Sequence, residues 1–125
     1  MVRYRFTRAM RIAKNRDFQA IYEEGVRLRG PSLQLVAKRN ALETARLGIS
    51  VGKKKMPRAV DRNRFKRLVR EAFRLNRESL PTGIDYLVIP LRGDGASSLS
   101  SLATELVSLG QKAGQRLQAR TEKTS

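Results

Sequence analysis

Apolar residues recur along the chain at two different spacings, and the switches between them mark out the elements. Phe18, Ile21 and Tyr22 fall at i, i+3 and i+4, one face of a short helix. Asn15 can cap that helix, and Gly25 is expected to end it as a left-handed residue. Residues 27–38 then look extended, with Leu33, Leu35 and Ala37 alternating against Gln34, Val36 and Lys38. Pro31 interrupts this stretch and implies an edge or a bulge. After a turn-like connection at 39–45, residues 46–52 alternate again through Leu47, Ile49 and Val51.

The longest helix is predicted over 58–79. Phe65, Leu68, Val69, Ala72 and Phe73 form its core-facing stripe, and Pro81-Thr82-Gly83 ends it. The apolar run 86–91 reads as a buried strand. A loop at 92–96 leads to a last amphipathic helix over 97–118, whose second half Gly110 and Gly114 are expected to weaken. Residues 1–14 read as a basic, weakly ordered arm, and 119–125 as a frayed tail. The order is helix, two or three strands, helix, strand, helix, taken with three strands as α-β-β-β-α-β-α. It predicts one α+β domain over 1–125, a single small β-sheet packed with helices.

Charge adds a partner to this picture. In 125 residues, 27 Lys and Arg against 11 Asp and Glu give a formal net charge of +16, and 19 of the 27 cations are Arg. Such self-repulsion opposes compaction and points to a polyanion. The arginine bias favours structured nucleic acid, because a guanidinium forks onto phosphate and stacks on bases. With no Cys and no His, a disulfide framework, Cys/His zinc sites and triads built on His or Cys are excluded. The apolar runs are too short to cross a membrane as a helix, and the N-terminus lacks the apolar core of a secretory signal. The composition suits a cytoplasmic protein with no membrane partner.

The charge is concentrated. Residues 53–77 hold eleven cations and two acids, a net of +9. On a helix, Asn63, Lys66, Arg67, Arg70, Arg74 and Arg77 fall opposite the apolar stripe, with Arg62 and Arg64 at its flanks. A solvated charged helix normally mixes Glu with Lys at i, i+4, and this one does not. That face therefore reads as a nucleic-acid contact. Phe18 and Tyr22 allow two readings, part of the core or a stacking platform for unpaired bases. Gly52-Lys53-Lys54 fails the P-loop pattern, which excludes nucleotide hydrolysis at that site. The acids are scattered, so no catalytic carboxylate pair or metal site is expected in the chain itself.

The stretch Ala59-Val60-Asp61-Arg62-Asn63-Arg64-Phe65-Lys66-Arg67-Leu68-Val69-Arg70-Glu71-Ala72-Phe73-Arg74 closely resembles the signature helix of the bacterial ribonuclease P protein component. Asp17-Phe18, Tyr22 and Gly25 upstream support this. So do Arg46-Leu47-Gly48-Ile49-Ser50-Val51 running into Lys53-Lys54, and Asp85-Tyr86-Leu87-Val88-Ile89 downstream. The resemblance covers about residues 11–92. It implies a fold like ribosomal protein S5 domain 2, with a left-handed βαβ crossover, and a subunit of the ribonucleoprotein that removes 5′ leaders from precursor tRNA. In that family the RNA is catalytic and holds the Mg2+, so no cofactor is expected on the protein and no small-molecule substrate. Carried over, Arg62, Asn63, Arg64, Lys66, Arg67, Arg70 and Arg74 face the RNA subunit. Arg11, Phe18, Tyr22, Val36, Ser50, Lys53 and Lys54 line the cleft for the single-stranded leader. Val36 stands where relatives often carry an aromatic. From residues alone, a ribosomal protein, a DNA-binding module and a protein-only nuclease are the rival readings.

Overall fold

The computed structural model describes residues 10–91 and 98–124, the last four as helix backbone. The basic positions Arg3, Arg5 and Arg8, with Tyr4 and Phe6, and the loop at 92–96 lie outside the described residues. The elements are α1 (Asn15–Glu24), β1 (Val26–Arg29), β2 (Leu33–Arg39), β3 (Arg46–Ile49), α2 (Ala59–Leu75), β4 (Ile84–Pro90) and α3 (Leu99–Thr124). A short 3-10 turn, Arg77–Ser79, follows α2. The α+β order is α-β-β-β-α-β-α, with three strands before α2 where the periodicity left two or three.

The four strands form one mixed sheet in the order β1-β2-β4-β3. β1 with β2 and β2 with β4 are antiparallel, while β3 and β4 are parallel neighbours joined through α2. Alternation sends successive residues of β2 and β4 to opposite faces. Leu35, Ala37, Tyr86 and Val88 join the main core beneath α2 and α3. Val36 and Leu87 join a smaller core with Ile12 and Ile21, beneath α1. Every residue of β4 except Ile89 is buried, which is why its sequence shows a run of apolar residues rather than alternation.

Several boundaries differ from expectation for physical reasons. Gly25 ends α1 with φ −75°, not in the left-handed region. Glycine is required there for room, since a Cβ would lie 2.6 Å from the Ile21 carbonyl oxygen and 2.8 Å from that of Ala37. Pro31 marks the turn of the β1–β2 hairpin rather than a bulge, closed by the Gly30 N–H donating to the Leu33 carbonyl. The carboxylate of Glu105 on α3 fixes that turn, accepting from the N–H groups of Ser32 and Leu33 at 3.0 and 2.8 Å.

The segment before α1 is ordered from Met10 onward, contrary to the weakly ordered arm expected to residue 14. Met10 and Ile12 are buried, and the Ile12 N–H donates to the Leu47 carbonyl at 3.0 Å. α3 runs past its expected end at Gln118 to Thr124. Gly110 and Gly114 lie within it and let it approach its neighbours. A Cβ at Gly110 would sit 2.5 Å from Leu80 Cδ2, and one at Gly114 would sit 2.7 Å from Pro81 Cγ. Beside them Phe73 meets Tyr86 edge to face, and the Tyr86 hydroxyl donates to the Pro81 carbonyl at 2.6 Å.

Candidate nucleic-acid interface

α1 lies across β2 and β4, and the space between its exposed side and the end of β3 is a groove of about 680 Å³. Asn15, Phe18, Gln19, Tyr22 and Glu23 line it from α1, and Ile49, Ser50, Val51 and Leu87 from the sheet side. Lys66 closes it from α2. A hollow of about 250 Å³ adjoins it, sharing Phe18, Ile49 and Lys66 and adding Arg11, Gly48 and Arg70. An aromatic floor and a cationic wall therefore meet in one depression.

The two aromatics differ in setting. Phe18 is half-buried and packs against the smaller core, so it is core and groove floor at once. Tyr22 is 49% exposed. The Arg27 guanidinium lies over its ring, 4.1 Å from the centroid, in a cation–π contact. Arg27 itself does not line the groove, so it braces Tyr22 from outside.

Among the expected cleft residues, Phe18, Tyr22 and Ser50 line the groove and Arg11 lines the hollow. Val36 is the correction. Its side chain is wholly buried in the smaller core, because in β2 it points beneath α1 rather than into the open groove. Lys53 and Lys54 are exposed on the loop after β3 and do not line either depression. Sequence reasoning missed Asn15, Gln19, Glu23, Ile49, Val51 and Leu87 in the lining, and the bracing Arg27. The continuous apolar run of β4 hides which of its residues faces α1, and the Tyr22–Arg27 contact crosses an element boundary.

The cationic helix is less uniform than its projection suggests. Asn63, Arg64 and Arg67 are exposed on its outer face. Lys66 and Arg70 are half-buried and turn toward α1 and the groove. Burial, and next the positive charge of Arg11, push the Arg70 pKa down, so an anion placed there would relieve both penalties. Arg62 is occupied with backbone: its Nη1 donates to the carbonyls of Met56 and Pro57, both at 2.8 Å. It thereby pins the lysine loop to the start of α2. Arg74 pairs with Glu71, and Arg58 with Asp61 at 3.9 Å, so the helix carries two local ion pairs that the expectation of an uncompensated face omitted.

A second groove, about 600 Å³, runs along α3 past Ala103, Val107 and Gln111. It has one cation, Lys112, and no aromatic, so it lacks the chemistry of the first. Among the described residues no helix is long and apolar enough to cross a membrane.

The chain matches known proteins in sequence and in fold. The Ribonuclease P family model matches residues 6–114. The chain is 38% identical over 112 residues to the ribonuclease P protein component of Haemophilus influenzae, covering 90% of this chain and 93% of that one. The solved RNase P protein of Thermotoga maritima superposes with a TM-score of 0.74 at 32% identity, over 82% of this chain and 96% of that one. That of Staphylococcus aureus gives 0.71 at 32% identity, over 84% and 94%. The signature helix, the groove beside it and the shared fold thus point one way, and the chain belongs to the ribonuclease P protein family, as a protein subunit of the ribonucleoprotein that serves tRNA processing.

Proposed function

We propose that this subunit works by holding two polyanions together, the catalytic RNA on the outer face of α2 and the single-stranded 5′ leader of precursor tRNA in the groove beside α1. The observation that carries this reading is the junction at Lys66 and Arg70. Both come from the cationic helix, and both wall the depression whose floor is Phe18. One side of α2 then serves the RNA subunit through Asn63, Arg64 and Arg67, and the adjoining side serves the substrate.

In the groove a leader base stacks on Phe18 or Tyr22, the usual grip on unpaired nucleotides. Ser50, Lys66, Arg70 and Arg11 meet its sugar and phosphates. Lys53 and Lys54, on the loop held by Arg62, stand beyond the end of β3 and attract the strand from outside. The subunit supplies affinity and charge screening, while hydrolysis and its Mg2+ belong to the RNA. Three acids support this division, since each is engaged by scaffold partners. Asp85 accepts from Arg46 and Asn40 at 2.6–2.9 Å, Glu105 holds the hairpin turn and Glu71 pairs with Arg74. Its setting in this reading is the cytoplasm, with precursor tRNA and the RNA subunit as partners.

The test is reconstitution with the RNA subunit and a comparison of precursor tRNA with and without its leader. Phe18→Ala should weaken binding of the leader-bearing substrate by about 1–3 kcal/mol and leave the leaderless one alone. Equal effects on both substrates would place the leader elsewhere.

A further inference from the structure

One end of the groove lies at Tyr22 and Glu23, in the last turn of α1, and the chain passes from there through Gly25 into the edge strand β1, whose arginines the proposed grip on the leader does not use. Arg27 and Arg29 are the exposed residues of β1, alternating with the buried Val26 and Leu28. They project on the same face of the sheet as Val36, the face that α1 covers. From the other face α3 reaches around the edge. Arg116 Nη1 donates to the Arg27 carbonyl at 3.1 Å, and Arg120 Nη1 donates to the Glu24 carbonyl at 2.9 Å.

Part of this is scaffold. α1 has no basic residue in its last turn, and Arg27 and Arg120 bond the carbonyls of Tyr22 and Glu24 at its negative end. A guanidinium has five N–H donors, and one carbonyl takes only one or two of them. The nearby acids are few. Glu24 faces Lys38 at 3.6 Å, and Glu23 accepts from Gln19 at 3.1 Å. Like charges gathered on a strand edge carry a repulsive cost that an anion removes.

We infer that Arg27, Arg29 and Arg116 form a phosphate track along the β1 edge that takes the leader's backbone upstream of the bases in the groove. The inference rests on the leader-cleft reading and extends it. The Tyr22–Arg27 stack is the hinge of the argument. One side of the contact lies in the groove and the other at the start of the track, so a strand leaving Tyr22 past Glu23, which Gln19 engages, meets Arg27 next. Phosphate contacts carry no base preference, so the track should act on any leader long enough to reach it.

Leader length is the readout. The complex reconstituted with the RNA subunit is offered substrates whose leaders grow one nucleotide at a time. The wild-type protein should gain affinity at two stages, first as the groove fills and again as the strand reaches β1. The double variant Arg29→Ala/Arg116→Ala, which spares the Arg27 brace on Tyr22, should keep the first gain and lose the second, weakening long-leader binding several-fold and leaving short leaders unchanged. Arg29→Ala alone, at an exposed position, should show part of that loss, and Arg29→Lys should restore most of it. Equal loss at every length, no loss at any length, or weaker assembly with the RNA subunit would overturn the track. Phe18→Ala separates the two ideas: if it removes the first gain, the cleft stands whatever the arginines do, and if it changes nothing the cleft itself fails.

Discussion

Gly48 makes room for Phe18. A Cβ on Gly48 would lie 2.7 Å from Phe18 Cε1, closer than nonbonded carbons approach, and 3.1 Å from Cζ. The missing side chain on β3 lets the ring sink against the sheet and form the groove floor. Gly48→Ala should therefore tilt Phe18 outward and weaken leader binding several-fold. Its effect on folding should be smaller. Overpacking costs about 1–3 kcal/mol, partly offset by about 0.4–1 kcal/mol from a stiffer unfolded chain. Denaturant melts beside substrate titrations separate the two, and an unchanged affinity would show that the ring's seat is unimportant.

Val36 and Phe18 should separate stability from binding. Val36 is wholly buried between α1 and the sheet. Val36→Ala removes two methyl groups from a packed site and should cost about 1–3 kcal/mol of stability, with leader affinity nearly intact under folding conditions. Phe18→Ala should do more damage to leader binding than to assembly with the RNA subunit. The reverse pattern would restore Val36 to the cleft.

Arg62 and Arg67 stand five residues apart on α2 and should fail in different ways. Arg67 is exposed, and Arg67→Gln should lower the slope of log affinity against log salt for the RNA subunit by about one, with little change in stability. Arg62→Ala frees the carbonyls of Met56 and Pro57 and should cost about 1–2 kcal/mol, loosening the loop that carries Lys53 and Lys54. Lysine should not rescue it, because its Nζ ends one bond short of the Nη1 that reaches both carbonyls. Hydrogen exchange at the loop amides reports the difference directly.

The Glu71–Arg74 pair predicts a pH effect of known sign. The hydrogen bond from Arg74, with its charge, holds the Glu71 carboxyl below its ordinary value. The pair therefore contributes fully at neutral pH, and the contribution is lost as the pH falls from the ordinary carboxylate range through that lowered value. Glu71 is well exposed, so the contribution is under about 1 kcal/mol. Glu71→Gln should be slightly less stable than the parent at neutral pH and equal to it in acid. It should also bind RNA with a steeper salt dependence, since Arg74 loses its carboxylate.

Much of the fold was legible because the chain keeps a clear period wherever an element has one wet face. Phe65, Val69, Ala72 and Phe73 announced α2, and all four are buried. What stayed hidden was tertiary. Nothing local says that Gly25 meets the carbonyl of Ala37, or that Met10 and Ile12 fill cores formed by later elements. The helical projection placed Lys66 and Arg70 opposite the stripe, yet they wall the depressions whose other side is α1. Resemblance named the cleft, but only packing shows that Val36 lies beneath it and that Arg27 braces Tyr22.

The central claim is that two RNAs meet two adjoining faces of this subunit. Photo-crosslinking tests it most directly, with a photoreactive amino acid placed at Gln19 in the groove or at Asn63 on the outer face of α2, in the complete complex with precursor tRNA. The account predicts crosslinks from position 19 to leader nucleotides 5′ of the cleavage site, and from position 63 to the RNA subunit. Crosslinks from position 19 to the RNA subunit, with the leader untouched, would contradict it.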